Sequence, residues 1–216
     1  MGKKLAVVVG AGKGMGVNIA KVFGQHDFKV AMLARSLEKL EPLAKEMKDQ
    51  GLEAYTYAAD AASTDSLTTA FQKIRQEHGR VDVMIYNAAI LTAGFPTKLT
   101  SSDLLEHYQV DVASALHSAN LVLPEQIAKG SGAIIFTGGG FALYPMAEYT
   151  CISIDKAALR ALTFALSQEV KEKGIYVGIV TIMGSIAPGT HYDPADRAKK
   201  YWELYEKQED TEYVFK

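Results

Sequence analysis

The sequence predicts an α/β protein built on one doubly wound parallel sheet. Apolar runs alternate with amphipathic helical stretches over the whole chain, and this βαβα rhythm is typical of that class. Three of the runs, 5–9, 83–86 and 175–182, are almost unbroken in apolar residues, which is expected of parallel strands covered by helices on both faces. No linker-like or repetitive segment divides the sequence, so we expect a single domain over residues 1–216.

The alternation predicts a sheet of six to seven strands flanked by helices. Strands are expected near 4–9, 28–34, 53–58, 82–86, 132–137 and 175–182, with a further short one at 212–215. Helices are expected near 14–25, 37–50, 64–78, 101–128, 151–173 and 194–208. Glycine favours a helix stop, and four glycines fall between a predicted helix and the next strand, at positions 51, 79, 130 and 174.

The composition excludes several classes of function. A net charge of −2 gives no electrostatic reason to expect binding to nucleic acid or to a membrane surface. The apolar run near the N-terminus is too short for a signal peptide or a membrane span. Cys151 is the only cysteine, which fits a reducing compartment. We therefore expect a cytoplasmic protein.

The clearest functional motif is the loop that follows the first predicted strand. A helical segment begins directly after this loop, which comprises Gly10, Ala11, Gly12, Lys13, Gly14, Met15 and Gly16. Glycine lets the backbone turn sharply and approach a phosphate closely, and the N–H groups of a helix start bind an anion. The spacing G-x-x-x-G-x-G in this context predicts a site for a dinucleotide pyrophosphate. The alternative is a glycine-rich turn without a ligand.

Two basic residues predict which dinucleotide is bound. A protein that binds NAD usually has an acidic residue at the end of the second strand, where it holds the ribose 2′-hydroxyl. This chain has Arg35 there, and a guanidinium matches a 2′-phosphate instead. Lys13 offers a second positive charge from the glycine loop. We therefore predict NADP(H), the alternative being that both residues are solvated surface charges.

The glycine loop and the two basic residues resemble those of the short-chain dehydrogenase/reductase family, in its NADPH-preferring form. Asp60 resembles the acidic residue in the turn after the family's third strand, which implies that Asp60 faces the adenine ring. The segment Asn87-Ala88-Ala89 resembles the family's N-N-A-G, and residues 156–162 resemble the helix that begins at its catalytic lysine.

This resemblance covers nearly the whole chain and carries several expectations. It implies a single-domain Rossmann fold, with cofactor contacts at the glycine loop, Arg35, Asp60, residues 87–89 and Lys156. It implies a small carbonyl or alcohol substrate. It also implies a homodimer or homotetramer packed through the helices predicted at 101–128 and 151–173.

The catalytic positions depart from the family. The family uses a Tyr as general acid or base, a Lys four residues later, a Ser thirteen residues before the Tyr, and an Asn on the preceding long helix. Lys156 matches the lysine, but the Tyr position is Ile152, the Ser position is Gly139 and the Asn position falls at Asp111. Because Ile and Gly carry no side-chain proton donor or acceptor, the family's usual mechanism does not transfer.

Neighbouring residues are candidates for the missing groups. Tyr149 lies about 10 Å from Lys156 on a continuous helix, so it donates a proton only if the chain before residue 152 leaves the helix and folds back. Tyr144 is a second candidate, and the alternative for both is packing as loop aromatics. Ser153 is a candidate donor to a substrate carbonyl, and its alternative is a bond to its own backbone.

Asp111 and His107 are four residues apart on one face of the predicted helix 101–128. If Asp111 points at Lys156, the buried pair holds that lysine charged, and His107 extends the pair to a proton relay. The alternative is an ordinary surface pair. The other histidines show no metal-ligand spacing, so we expect no structural metal.

The C-terminal part lacks the family's Pro-Gly after the sixth strand, and Gly184 is the candidate for that turn. We expect residues 185–210 to form a lid or a packing segment on the substrate side, with Trp202 as a packing anchor.

Two functions are consistent with these residues. The first is an NADP(H)-dependent oxidoreductase with a non-standard proton donor, whose catalytic candidates are Lys156, Tyr149, Asp111 and Ser153. The second is a catalytically silent NADP(H)-binding protein that acts as a redox sensor or scaffold, which Gly139 and Ile152 favour.

Overall fold

The structure, a computed structural model, describes residues 2–216 and confirms the predicted fold class. Seven strands form one parallel sheet in the order β3-β2-β1-β4-β5-β6-β7. The strands are β1 (Lys4–Val9), β2 (Phe28–Ala34), β3 (Ala54–Ala58), β4 (Val83–Tyr86), β5 (Gly132–Gly139), β6 (Ile175–Ile182) and β7 (Glu212–Phe215).

Helices cover both faces of the sheet. They are α1 (Met15–Gln25), α2 (Leu37–Asp49), α3 (Thr64–His78), α4 (Ser101–Tyr108), α5 (Ser114–Lys129), α6 (Thr150–Val170) and α7 (Pro194–Lys207). One apolar core cluster joins α3, α5 and α6 to one face, and a second joins α1, α2 and α7 to the other. The strands are apolar because both faces are covered, and all eight residues of β6 are buried.

The strand order reverses beside β1, and this reversal determines where a ligand fits. β1 pairs with β2 through Val9↔Leu33 and with β4 through Val9↔Tyr86. The chain runs outward from β1 to β3 and then returns to the opposite side at β4. In such sheets the loops after the two central strands diverge and leave a crevice at the carboxyl ends of the strands. We refer to this side of the sheet as the carboxyl edge.

The long helix expected at 101–128 is interrupted. Residues Gln109–Ala113 form a π-helical turn between α4 and α5, and the N–H of Ser114 bonds to the carbonyl of Gln109. The carbonyl of Val110 instead accepts the hydroxyl of the buried Tyr86, from β4. A single π-turn inside a helix is common at functional sites, and this one carries Asp111.

The last helix packs on the first one. α7 lies against α1, and the Trp202 ring stacks on His26 with centroids 3.8 Å apart. Phe23 and Phe28 contact the same indole edge-on. These contacts place α7 against α1, and residues 183–193 connect it to the end of β6; whether residues 185–210 act as a lid or as a packing segment stays a prediction. No helix within residues 2–216 is long and apolar enough to cross a membrane.

Candidate functional site

Two glycines of the loop after β1 are required by close packing. Gly10 has φ +84°, and a Cβ there would lie 2.5 Å from the backbone nitrogen of Ala88. A Cβ on Gly16 would lie 2.5 Å from the carbonyl oxygen of Gly10. Only glycine fits these positions, so the two residues hold the turn between β1, α1 and the loop after β4.

The other two glycines leave open space at the carboxyl edge. A Cβ on Gly12 or Gly14 would meet no atom within 4 Å. Gly14 is the N-cap of α1 and offers no side-chain acceptor to the first N–H groups of the helix. The N–H of Val17 bonds to the carbonyl of Gly12 at 3.0 Å, and the rest of this helix start, with no side-chain cap and free space before it, fits a pyrophosphate. The side chain of Met15 is buried in the core, so any contact of this residue with a ligand is left to its backbone.

Lys13 and Arg35 follow neighbouring strands at this edge. Both are exposed, and the register Val9↔Leu33 sets the ends of β1 and β2 side by side. Within residues 2–216, neither side chain forms a hydrogen bond or an ion pair. Surface cations without a carboxylate partner remain available to an anion, which fits the predicted 2′-phosphate contact.

Asp60 and Asn87 have structural partners. The Asp60 carboxylate accepts the N–H of Ala62 in the turn after β3. The Asn87 amide donates to the carbonyl of Gly10 at 2.9 Å, and its oxygen accepts the hydroxyl of Thr137 at 3.0 Å. Asn87 therefore ties the end of β4 to the glycine loop and to β5. Of its two neighbours, Ala88 lies against Gly10 and Ala89 is exposed.

Lys156 lies inside α6, facing the ends of β5. Its ammonium donates to the carbonyl of Thr137 at 3.0 Å and lies 3.6 Å from Asp111 Oδ1. The side chain is buried, and this burial lowers the pKa of Lys156 while the Asp111 charge opposes the shift. Gly139 adjoins the lysine, since a Cβ there would lie 3.6 Å from Lys156 Cγ.

Asp111 is positioned by the π-turn and by the loop after β4. Its Oδ2 accepts the N–H of Ile90 at 2.8 Å, and the residue has no exposed surface. Burial raises the pKa of Asp111, and the Lys156 charge opposes the shift. The structure thus brings Lys156 and Asp111 together as a buried pair. It does not show the alternative, a pair on the surface.

Sequence reasoning missed Asp155. This carboxylate is wholly buried and lies 3.9 Å from His107 Nδ1. Burial and the charge of Asp111 raise the pKa of Asp155 to about 7. A signal was present, because Asp155 shares a helix face with the apolar Ile152 and Leu159, both of them buried. An acid at helical spacing among core residues indicates a group that needs a partner.

Tyr149, Tyr144 and Ser153 have surroundings of their own, apart from the hydrogen bonds of Lys156. Tyr149 is the N-cap of α6, so it lies before the helix, and its ring packs on Phe141 with centroids 5.4 Å apart. The Ser153 hydroxyl donates to the carbonyl of Tyr149 at 2.7 Å. Tyr144 is 69% exposed. None of the three bonds to Lys156 in the described part of the chain, and their predicted roles remain predictions.

An apolar cavity of about 330 Å³ lies beside this part of α6. Its lining is mostly hydrophobic and includes Pro96, Phe141, Met146, Ser153, Ile154 and Ala157. Pockets for small molecules are typically apolar with a few polar groups, so this cavity is the candidate substrate side of the site.

Comparison with known proteins identifies the class. The family described as short chain dehydrogenase matches residues 4–195, and the chain belongs to this family. Membership places it among nicotinamide-dependent oxidoreductases of small molecules.

Individual relatives and solved structures agree with this assignment. Oxidoreductase UcpA of Escherichia coli K12 is 29% identical over 185 residues, which cover 83% of this chain and 70% of the relative. The 17-beta-hydroxysteroid dehydrogenase type 3 of Mus musculus is 28% identical over 192 residues, with coverages of 87% and 62%. A metagenomic short-chain oxidoreductase in complex with NADP superposes with a TM-score of 0.90 at 25% identity, covering 100% of this chain and 97% of that one.

Proposed function

We propose that this chain is an NADP(H)-dependent oxidoreductase that transfers hydride between NADPH and a small carbonyl or alcohol, with a non-standard proton donor. The observation that carries the proposal is the Lys156 ammonium, fixed 3.0 Å from the carbonyl of Thr137 at the carboxyl edge. The uncapped start of α1 opens at the same edge of the sheet. A cation held there at the strand ends suits the binding of a nicotinamide ribose.

The preference for the phosphorylated cofactor rests on Lys13 and Arg35. Each charge-assisted hydrogen bond to the 2′-phosphate contributes about 1.5–3 kcal/mol, which is roughly a 10- to 100-fold preference. The solved short-chain oxidoreductase at 25% identity is a complex with NADP, which supports the same choice.

Each part of the site has a distinct task in this reaction. The bound cofactor supplies or accepts the hydride. Gly12, Gly14 and the start of α1 would hold the pyrophosphate, and the apolar cavity beside α6 would receive the substrate. Asp111 balances the charge of Lys156 in a buried position, where an uncompensated ammonium is costly. Ile152 transfers no proton, so the proton comes from the lysine and its neighbours.

A cofactor titration tests the proposal. NADPH and NADH are titrated separately, followed by nicotinamide fluorescence, against the wild type, Arg35→Ala and the exposed control Lys129→Ala. We expect NADPH to bind at least tenfold more tightly than NADH, and Arg35→Ala to remove most of the difference while Lys129→Ala retains it. Binding of neither nucleotide contradicts the proposal.

A second candidate function is NADP(H) binding without turnover. Gly139 and Ile152 favour it, since they remove two groups on which the family's chemistry depends. The two functions differ in hydride transfer from isotopically labelled NADPH to a panel of small aldehydes and ketones. Turnover that is lost in Lys156→Met supports the enzyme, whereas tight binding with no label transfer over the whole panel supports the silent protein.

A further inference from the structure

A cluster of buried ionisable groups lies between α4, the π-turn and α6. It consists of His107, Asp111, Asp155 and Lys156, each at least nine-tenths buried. Four of its polar atoms have no hydrogen-bond partner among residues 2–216: His107 Nδ1, Asp111 Oδ1 and both carboxylate oxygens of Asp155. Buried polar groups are nearly always paired, so unpaired atoms this close together require an explanation.

The charges of the cluster indicate which of its two carboxyl groups holds an additional proton. With Lys156 protonated and both carboxyls ionised, the cluster carries a net negative charge in a place closed to water, which is costly. One additional proton makes it neutral. Asp111 is stabilised as an anion by the N–H of Ile90 and by Lys156, whereas Asp155 accepts no hydrogen bond. Asp155 is therefore the carboxyl that holds the proton.

His107 connects Asp155 to the surface. Its Nε2 lies 2.7 Å from Oγ1 of Thr92, an exposed residue of the loop after β4. Its Nδ1 lies 3.9 Å from Asp155 Oδ2. This second distance is longer than a hydrogen bond, and a small side-chain rotation closes it. An imidazole that has one nitrogen toward solvent and the other toward a buried acid is a suitable proton carrier.

Other titratable groups near Asp155 do not compete for the proton. Cys151 lies one turn earlier on α6, and burial together with the Asp155 charge raises the pKa of its thiol. Asp103 on α4 accepts the N–H and hydroxyl of Thr100, which lowers its pKa. Tyr86 of β4 donates to the carbonyl of Val110, and burial raises its pKa. At neutral pH these groups keep one protonation state.

We propose that Asp155 and His107 form a proton store that supplies Lys156 and so replaces the missing tyrosine route. The inference rests on the proposed function. When hydride reaches the carbonyl carbon, the carbonyl oxygen takes a proton from the Lys156 ammonium. No Asp155 oxygen lies within 4 Å of Lys156 Nζ, so the Asp155 side chain rotates toward the lysine before the amine takes the proton of its carboxyl, with Asp111 holding the lysine in place. A proton from water passes through Thr92 and His107 and restores Asp155. Alcohol oxidation runs the same steps in reverse.

Asp155 acts through Lys156, so it is a positioning residue, and its titration can be tested without cofactor. Protein labelled with ¹³C at the Asp carboxyl carbons is titrated by NMR from pH 4 to 9, and Asp155→Asn assigns the signal. We expect the Asp155 carboxyl to titrate with a midpoint near its raised pKa of about 7. A midpoint below 5 overturns the inference. Because the titration uses wild-type apoprotein, it is decisive whether or not NADPH binds.

A matched pair of histidine variants tests the path to solvent. His117 on α5 bonds Thr68 through Nε2 at 2.9 Å, as His107 bonds Thr92, but it lies outside the cluster. We expect His107→Gln to move the Asp155 midpoint and His117→Gln to leave it unchanged. Equal midpoints in both variants and the wild type overturn the role of His107.

The pH profile of NADPH oxidation supplies the functional readout. We expect kcat for carbonyl reduction to fall as the pH rises through 7, because Asp155 loses its proton there. In Asp155→Asn this fall disappears, and kcat at pH 6 drops about tenfold or more while KM changes little. An unchanged profile in the variant overturns the inference. If the wild type shows no turnover at all, the proposed function fails, and the NMR midpoint still decides whether Asp155 stores a proton.

Discussion

Gly139 and Lys156 face each other across β5 and α6, with the missing Cβ of the glycine directed at the lysine stem. A Cβ at position 139 would lie 3.6 Å from Lys156 Cγ, which is an ordinary van der Waals distance. The backbone of Gly139 is extended, with φ −158° and ψ 154°, a conformation that any residue adopts. The site therefore has space for a Cβ at the position where the family carries its serine.

This space allows the family's catalytic pair to be restored. We expect Gly139→Ser to fold, and the double variant Gly139→Ser/Ile152→Tyr to gain carbonyl reduction by about 10²-fold or more, the range typical of a positioned general acid. The tyrosine is larger than the buried Ile152, so a stability loss of about 1–3 kcal/mol is expected. Turnover is measured by NADPH oxidation.

The adjacent glycine provides a control for this pair. A Cβ on Gly138 would lie 2.7 Å from Thr181 Oγ1, so Gly138→Ser should destabilise the fold, as measured by urea unfolding. No gain of activity in a folded double variant would show that more than these two side chains separates this site from the family's.

The glycines of the loop after β1 divide into two groups. Gly16→Ala places a methyl group 2.5 Å from the carbonyl oxygen of Gly10 and should cost about 1–3 kcal/mol of unfolding free energy. Gly12→Ala places its methyl group in open space, so stability should change by no more than about 0.5 kcal/mol. If this space holds the pyrophosphate, NADPH binding should nevertheless weaken in Gly12→Ala. Urea unfolding and cofactor titration separate the two effects, and unchanged NADPH affinity in Gly12→Ala would exclude that location.

Much of this molecule is predictable from local sequence patterns. The strand ends and the glycine loop follow from runs of apolar residues and from glycine spacing, which act within a few neighbours along the chain. The position of Lys156 follows from residues 156–162, which resemble the helix that begins at the family's catalytic lysine. These features are local, so a single sequence suffices to find them.

The rest depends on contacts between distant segments. The π-turn depends on the Tyr86 hydroxyl, which reaches the carbonyl of Val110 from β4. The pairing of Asp155 with His107 depends on how α4 packs on α6. Tyr149 lies before α6 because residues 138–149 turn back against Gly94, with which Tyr149 forms an isolated bridge. Helical periodicity alone contains none of this information.

A variant of Trp202 can show whether residues 185–210 form a packing segment or a lid. Its indole stacks on His26 and contacts two phenylalanines near the amino end of β2, away from the carboxyl edge. Trp202 is half-buried, so we expect Trp202→Ala to lose about 1–3 kcal/mol of unfolding free energy and to leave the NADPH affinity of the folded fraction unchanged. Tyr144→Ala, at an exposed position, is the control for stability. A variant that stays stable but loses NADPH affinity would assign α7 a role over the site.

The buried Asp155 makes a prediction about stability against pH. Burial raises the pKa of Asp155 to about 7 in the folded chain, against 3.8 for an ordinary aspartate, so between these values the native state retains a proton that the unfolded chain has released. The stabilisation that this group contributes is fully present below about pH 4 and is lost as the pH rises through 7. The free energy of unfolding falls by no more than about 1.4 kcal/mol per pH unit over this range.

Acids with lowered pKa values, such as Asp103 and Glu212, act in the opposite sense at lower pH. The comparison is therefore made against Asp155→Asn, by urea unfolding between pH 5 and pH 8. We expect the wild type to lose stability over this range relative to the variant. Parallel curves would mean that Asp155 is ionised in the folded protein throughout, and the Lys156 site would then lack its proton store.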